Sequence, residues 1–260
     1  NSLVKKKKRE ANANDDGRAK MTIISQIEDR GAVVAWSPLA TAADVIAVGT
    51  KDSGGVGFDD YGGELELYDT SITNRNNVHN NDTNTTDHPK PSVIGSVKTT
   101  SRFSSIGWTP CGANVSERFE MGLLAGGMTD GTVNIWNPAA ISSSSPLLST
   151  ISRHSNGAVS ALQFNPHPSS ANLLATGGSN GEVLITSLET PETPTVTIPS
   201  PDHTSQGAEI TQVAWNTQVE HIVASSAGNG TVVVWDLRQQ KPWCELRCES
   251  AGLPLSDICW

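Results

Sequence analysis

Residues 122–138 read GLLAGGMTDGTVNIWNP, and the chain repeats the phrase in register as NLLATGGSNGEVLITSL (172–188) and HIVASSAGNGTVVVWDL (221–237). Each copy splits into two short apolar runs about a turn: GLLAGG and TVNIW flank MTDG. Val133 and Ile135 alternate with Thr132 and Asn134, the period of two expected of a half-buried strand. Gly131 sits where a tight hairpin needs positive φ, and Gly181 and Gly230 occupy the same position in the other copies. A looser copy, GELELYD (63–69), places Gly63 there too, with Leu65 and Leu67 alternating with glutamates.

A second element precedes each phrase: AVVAWSP (32–38), FSSIGWTP (103–110), AVSALQFNP (158–166) and EITQVAWN (209–216). Each reads as a strand that ends in an aromatic and runs into Ser, Thr or Asn, often with Pro next. The aromatics are Trp36, Trp108, Phe164 and Trp215, and Trp260 ends a fifth such strand in LSDICW. Trp136 and Trp235 close the second strand of their hairpins. All seven are expected in the core. Several strands per repeat at a period of about 40–50 residues indicate an all-β propeller of the WD40 type. The predicted blades are 30–70, 101–138, 156–189 and 208–240, with another starting at 254–260, so four blades and the first strand of a fifth stand against the usual seven. The closing Trp-Asp of that repeat survives as Trp235-Asp236. It becomes Trp136-Asn137 and Tyr68-Asp69, and is lost at Thr186-Ser187. Only His154 and His203 are placed to serve as the repeat's opening histidine. Residues 51–62 lengthen one hairpin, and the polar stretch 71–92 reads as a mobile loop outside the blade.

A net charge of −9 argues against a nucleic-acid surface. KKKKRE (5–10) opens a leader over 1–20 whose composition fits a disordered, solvated segment, although a nuclear address or a hold on anionic lipid uses the same charges. Met21 is a candidate start of the folded part. Cys111, Cys244, Cys248 and Cys259 have no zinc or disulfide spacing and read as free thiols in a reducing cytosol. The sequons at Asn81, Asn84, Asn114 and Asn229 are then incidental. No catalytic, cofactor or metal site is expected. The phosphate loop and nucleophile elbow are missing from the sequence, Asp60 stands where a dinucleotide fingerprint needs Gly, and the six histidines lack metal spacing. Asp59, Asp60, Glu64 and Glu66 read as an acidic hairpin tip rather than a calcium loop, whose spacing they lack. WDLR (235–238) ends a blade, and in some propellers Asp-x-Arg there docks a ubiquitin-ligase adaptor.

Taken in order, DRGAVVAWSP, GELELYD, GLLAGGMTDGTVNIWNPAAI, RHSNGAVSALQFNP, NLLATGGSNGEVLI, EITQVAWNTQVEHIVASSAGNGTVVVWDLRQQKP and LSDICW resemble the Sec-thirty-one family, the large WD40-containing outer-coat subunits of COPII vesicles. The resemblance covers about 21–260, apart from the insertions, and implies a structural scaffold of the COPII coat acting between endoplasmic reticulum and Golgi. It implies a smaller WD40 coat partner of the Sec-thirteen type and further copies of the chain at cage vertices. It also implies an inner coat with its small GTPase, reached through regions outside this chain, and peripheral attachment at cytoplasmic exit sites. A ubiquitin-ligase substrate receptor is the alternative among binding modules.

Overall fold

The computed structural model describes residues 31–51, 62–72, 91–111, 119–154, 157–200, 207–247 and 253–260. The leader, most of both insertions, Cys248, His79, His88 and His203 lie outside them, as do Asp59 and Asp60. Apart from short 3₁₀ turns, the described residues are all β. They form four sheets, each an antiparallel meander of four consecutive strands. The first holds β1 (Ala32–Trp36), β2 (Val45–Thr50), β3 (Gly63–Asp69) and β4 (Ser92–Thr99). The second holds β5 (Phe103–Thr109), β6 (Leu123–Met128), β7 (Val133–Trp136) and β8 (Leu147–Ile151). The third runs β9 (Ala161–Phe164), β10 (Leu173–Gly177), β11 (Val183–Ser187) and β12 (Thr195–Thr197). The fourth comprises β13 (Ile210–Trp215), β14 (Ile222–Ala227), β15 (Thr231–Asp236) and β16 (Lys241–Arg247). First strands of successive sheets, β1, β5, β9 and β13, contact one another, which sets the sheets as blades around an axis.

Three apolar clusters hold the blades face to face. Val45, Ala47, Leu65 and Leu67 of the first blade meet Phe103, Trp108, Leu124 and Trp136 of the second. Leu123, Val133 and Ile135 of the second meet Phe164 and Leu174 of the third. Ala175 and Ile185 of the third meet Trp215, Val223 and Trp235 of the fourth. Neighbouring residues of β6 thus serve opposite clusters, Leu124 one and Leu123 the other. A strand with both faces covered needs no polar alternation, and all six β6 residues are buried.

The repeated phrase makes the same turn three times. Gly131 N donates to Met128 O, Gly181 N to Gly178 O and Gly230 N to Ala227 O, at 3.0–3.3 Å. The glycines have φ of 86°, 82° and 82°, the left-handed residue of a three-residue hairpin loop. Gly63 departs from the expected equivalence. It opens β3 without positive φ. What makes glycine fit there is space, since a Cβ would lie 2.9 Å from Ser101 O.

The blades are wider than the sequence reading put them. Outer strands β4, β8, β12 and β16 add a fourth strand to each, and β4 begins at Ser92, the last residue assigned to the loop. These strands were illegible because they sit on the rim and carry mixed or exposed side chains. The fifth blade's expected first strand also differs. Residues 253–260 lie in no sheet, since nothing among the described residues pairs with them as a strand.

Candidate interaction surfaces

Two of the residues that follow inner-strand aromatics, Thr109 and Asn165, stitch blades together where the inner strands end. Thr109 Oγ1 donates to Ala171 O (2.9 Å) in the next blade, and Asn165 Nδ2 donates likewise to Glu220 O (2.8 Å). Both acceptors lie two residues before the second strand of their blade. The aromatics reach the other way. Trp215 Nε1 donates to Gln163 O of the preceding blade (3.0 Å), and Trp260 Nε1 donates to Ala214 O (2.9 Å). Gln163 and Ala214 each precede their own blade's aromatic, so 253–260 docks on the fourth blade as β13 docks on the third. Gln212 Nε2, donating to Asp257 Oδ1 (3.1 Å), adds a second contact. Trp108 instead donates to Met121 O within its own blade (2.8 Å).

This directionality explains where the expected core residues lie. Trp108, Phe164, Trp215, Trp136 and Trp235 are buried, whereas Trp36 and Trp260 are each 49% exposed. Trp36 belongs to the face that rests on a preceding blade, and no described residue forms one. Val34, two residues earlier, is exposed with it, while Val33 and Ala35 pack inward. Trp260 has a blade on one side only. Trp243, at a bulge of β16, is the most exposed large apolar residue among those described, at 70%. Apolar side chains are thus exposed on the two flanks and also along the rim, where Val93 and Ile94 of β4, Leu147 of β8 and Leu246 of β16 face solvent.

The buried polar network of the repeat is divided between two blades. His154 Nε2 pairs with Thr176 Oγ1 at 2.8 Å, and its Nδ1 lies 3.4 Å from Glu182 Oε2, long for a hydrogen bond. Burial pushes the imidazole below its ordinary value, an effect the Glu182 carboxylate partly offsets. The indole end of the network stands in the fourth blade, where Trp235 Nε1 donates to Ser225 Oγ (2.9 Å). The second letter of the closing dipeptide has a local task. Asp69, Asn137 and Asp236 each accept, through Oδ1, the backbone N–H two residues on, which is why Asn replaces Asp without loss. Arg238 of WDLR is exposed, with Nη2 4.0 Å from Glu220 Oε1.

Between the second and third blades lies a cavity of about 690 Å³ with Trp108, Phe119, Phe164 and Leu188 in its lining and several prolines around it. Cys111 also lines it, and burial pushes that thiol up, away from the reactive thiolate. Cys111, Cys244 and Cys259 are free, and no group of three or more His, Cys, Asp or Glu among the described residues could hold a metal ion. Among the described residues no helix is long and apolar enough to cross a membrane.

The profile described as "WD domain, G-beta repeat" matches residues 145–187 and 194–236. Each match spans one outer strand and the first three strands of the next blade, so the sequence unit is offset by one strand from the sheet. The protein transport protein SEC31 of Dictyostelium discoideum is 33% identical over 243 residues, covering 89% of this chain and 16% of that protein. Its counterpart from Emericella nidulans is 37% identical over 216 residues, covering 82% and 15%. The chain belongs to the Sec31 family. It spans about one-sixth of the length of those Sec31 relatives. A solved structure titled "COPII on membranes, outer coat vertex" superposes with a TM-score of 0.62 at 25% identity, covering 89% of this chain and 55% of that one.

Proposed function

We propose that this Sec31-type propeller segment is a structural scaffold of the COPII outer coat, making protein–protein contacts at cage vertices during transport from the endoplasmic reticulum to the Golgi. The observation that carries the reading is the match to the outer coat vertex, which covers most of the chain and coincides with its four blades. The geometry agrees with it. Stitched blades give a stiff disc whose rim and flanks offer apolar residues, and surfaces of this kind suit association with other proteins. The partners we infer are a smaller WD40 coat subunit, further copies of the chain, and an inner coat with its small GTPase. They would meet on the cytoplasmic side of exit sites, by peripheral attachment. We assign the segment no reaction and no cofactor.

A chimera tests the proposal. Residues 31–260 replace the corresponding segment of Dictyostelium SEC31, and the chimera is followed in cells lacking the native protein. Puncta at exit sites and restored secretion are expected. A chimera that folds yet stays diffuse and leaves secretion blocked refutes the scaffold reading.

A further inference from the structure

Six serines or threonines in the chain precede proline: Ser37, Thr109, Ser145, Thr190, Thr193 and Ser200. The fold divides them. Ser37, Thr109 and Ser200 are buried, and the Thr109 hydroxyl is committed to Ala171 O. Ser145, Thr190 and Thr193 are exposed, and none of their hydroxyls is hydrogen-bonded to another described residue. The exposed three lie on adjoining blades, at the turns that lead into the outer strands β8 and β12. Ser145 ends the turn before β8, while Thr190 and Thr193 flank the turn before β12 in the adjoining blade. That turn is closed by Thr193 N donating to Thr190 O (3.0 Å). Ser149 Oγ in β8 donates to Pro191 O (2.6 Å), so the two blades touch here.

From this arrangement we propose that Thr190 and Thr193, and Ser145 on the adjoining blade, are phosphorylation sites for a proline-directed protein kinase. The following proline holds each residue extended, the form in which a hydroxyl stands clear of its own backbone. In the step, threonine Oγ1 attacks the γ-phosphorus of a nucleoside triphosphate. The new P–O bond forms as the bond to the bridging oxygen breaks, the diphosphate leaves, and the hydroxyl proton passes to the kinase's base. Each phosphate brings about −1.5 to −2 charges. Glu189 and Pro191, on either side of Thr190, both line the cavity between the second and third blades. Modification therefore places a dianion at the lip of an apolar hollow.

The test treats the folded, full-length protein with a proline-directed kinase and ATP and maps phosphate by mass spectrometry, with the unfolded chain treated in parallel. Thr190, Thr193 and Ser145 should be modified about tenfold or more faster than Ser37, Thr109 and Ser200 in the folded protein, because the buried three require local opening. The unfolded chain should lose that preference. Unmodified threonines in the folded protein, or equal labelling of all six, overturn the proposal. So does the absence of phosphate at all three positions in protein isolated from growing and dividing cells with phosphatases inhibited.

Discussion

Trp36 and Trp215 occupy the same place at the end of an inner strand, yet only one has a blade beneath it, and truncating each to alanine turns that difference into a measurement. A tryptophan side chain buries about 150–250 Å². At roughly 25 cal/mol per Å² that corresponds to about 4–6 kcal/mol, in line with about 3–5 kcal/mol for Trp-to-Ala changes in cores. Trp215 is only 2% exposed, and its loss also strands the carbonyl of Gln163. Trp215→Ala should therefore cost about 4–5 kcal/mol. Trp36 keeps 49% of its surface in water, so Trp36→Ala should cost about half as much, near 2 kcal/mol. Urea unfolding followed by far-ultraviolet circular dichroism suits the comparison, since its signal does not depend on the residue removed. In a longer chain whose last blade covers β1, the cost of Trp36→Ala should rise to that of Trp215→Ala. Equal costs in the 260-residue chain, or a Trp215→Ala variant within about 1 kcal/mol of the parent, would refute the account of how blades rest on one another.

Asn165→Ala should lower stability by about 1–2 kcal/mol through loss of the tie to Glu220 O and the stranding of that carbonyl, a change readable in a thermal melt; an unchanged melt would remove the stitch from the account. Gly131→Ala forces a Cβ onto a residue at φ 86° with Gly157 O 2.9 Å away, so a loss of about 1–2 kcal/mol is expected, and neutrality in denaturant titration would contradict the turn assignment. His154 is held neutral by burial, so its folded pKa lies below the ordinary 6.5 and its contribution is complete above that value. Stability should fall as pH drops through 6.5 toward the folded pKa, and His154→Asn should flatten that limb of the pH profile; parallel profiles would rule out His154 as the source.

The repeat was legible because turn chemistry and inner-strand alternation are written locally. Gly131, Gly181 and Gly230 announce their turns, and β6 and β7 carry enough apolar residues to be read as strands. The outer strands had no such mark. Thr195–Thr197 is three residues of mixed exposure, and its strand character comes from pairing with β11. The exposure of Trp36 could not be read from AVVAW either, because burial of that face is decided by a neighbouring blade. The ties made by Thr109 and Asn165 were visible as a recurring Ser/Thr/Asn after the aromatic. Their partners, Ala171 O and Glu220 O, are backbone atoms that no side-chain pattern advertises. The exposed Ser/Thr-Pro sites needed the fold to separate them from buried copies of the same dipeptide.

The indole of Trp260 on Ala214 O has a consequence for how the chain is made. The inner strands of the third and fourth blades are each finished by a tryptophan from the segment that follows, and Trp260 lies 45 residues beyond Trp215. At about 5–20 residues per second, a ribosome needs roughly 2–9 s to deliver it. Throughout that interval the newest blade has an unguarded apolar face, which is covered only when the following segment emerges. Assembly is thus a relay from the amino terminus, and chaperones that bind nascent apolar segments have a window at every blade. A slow codon or an early stop just before one of these aromatics would be more damaging than the same change just after it.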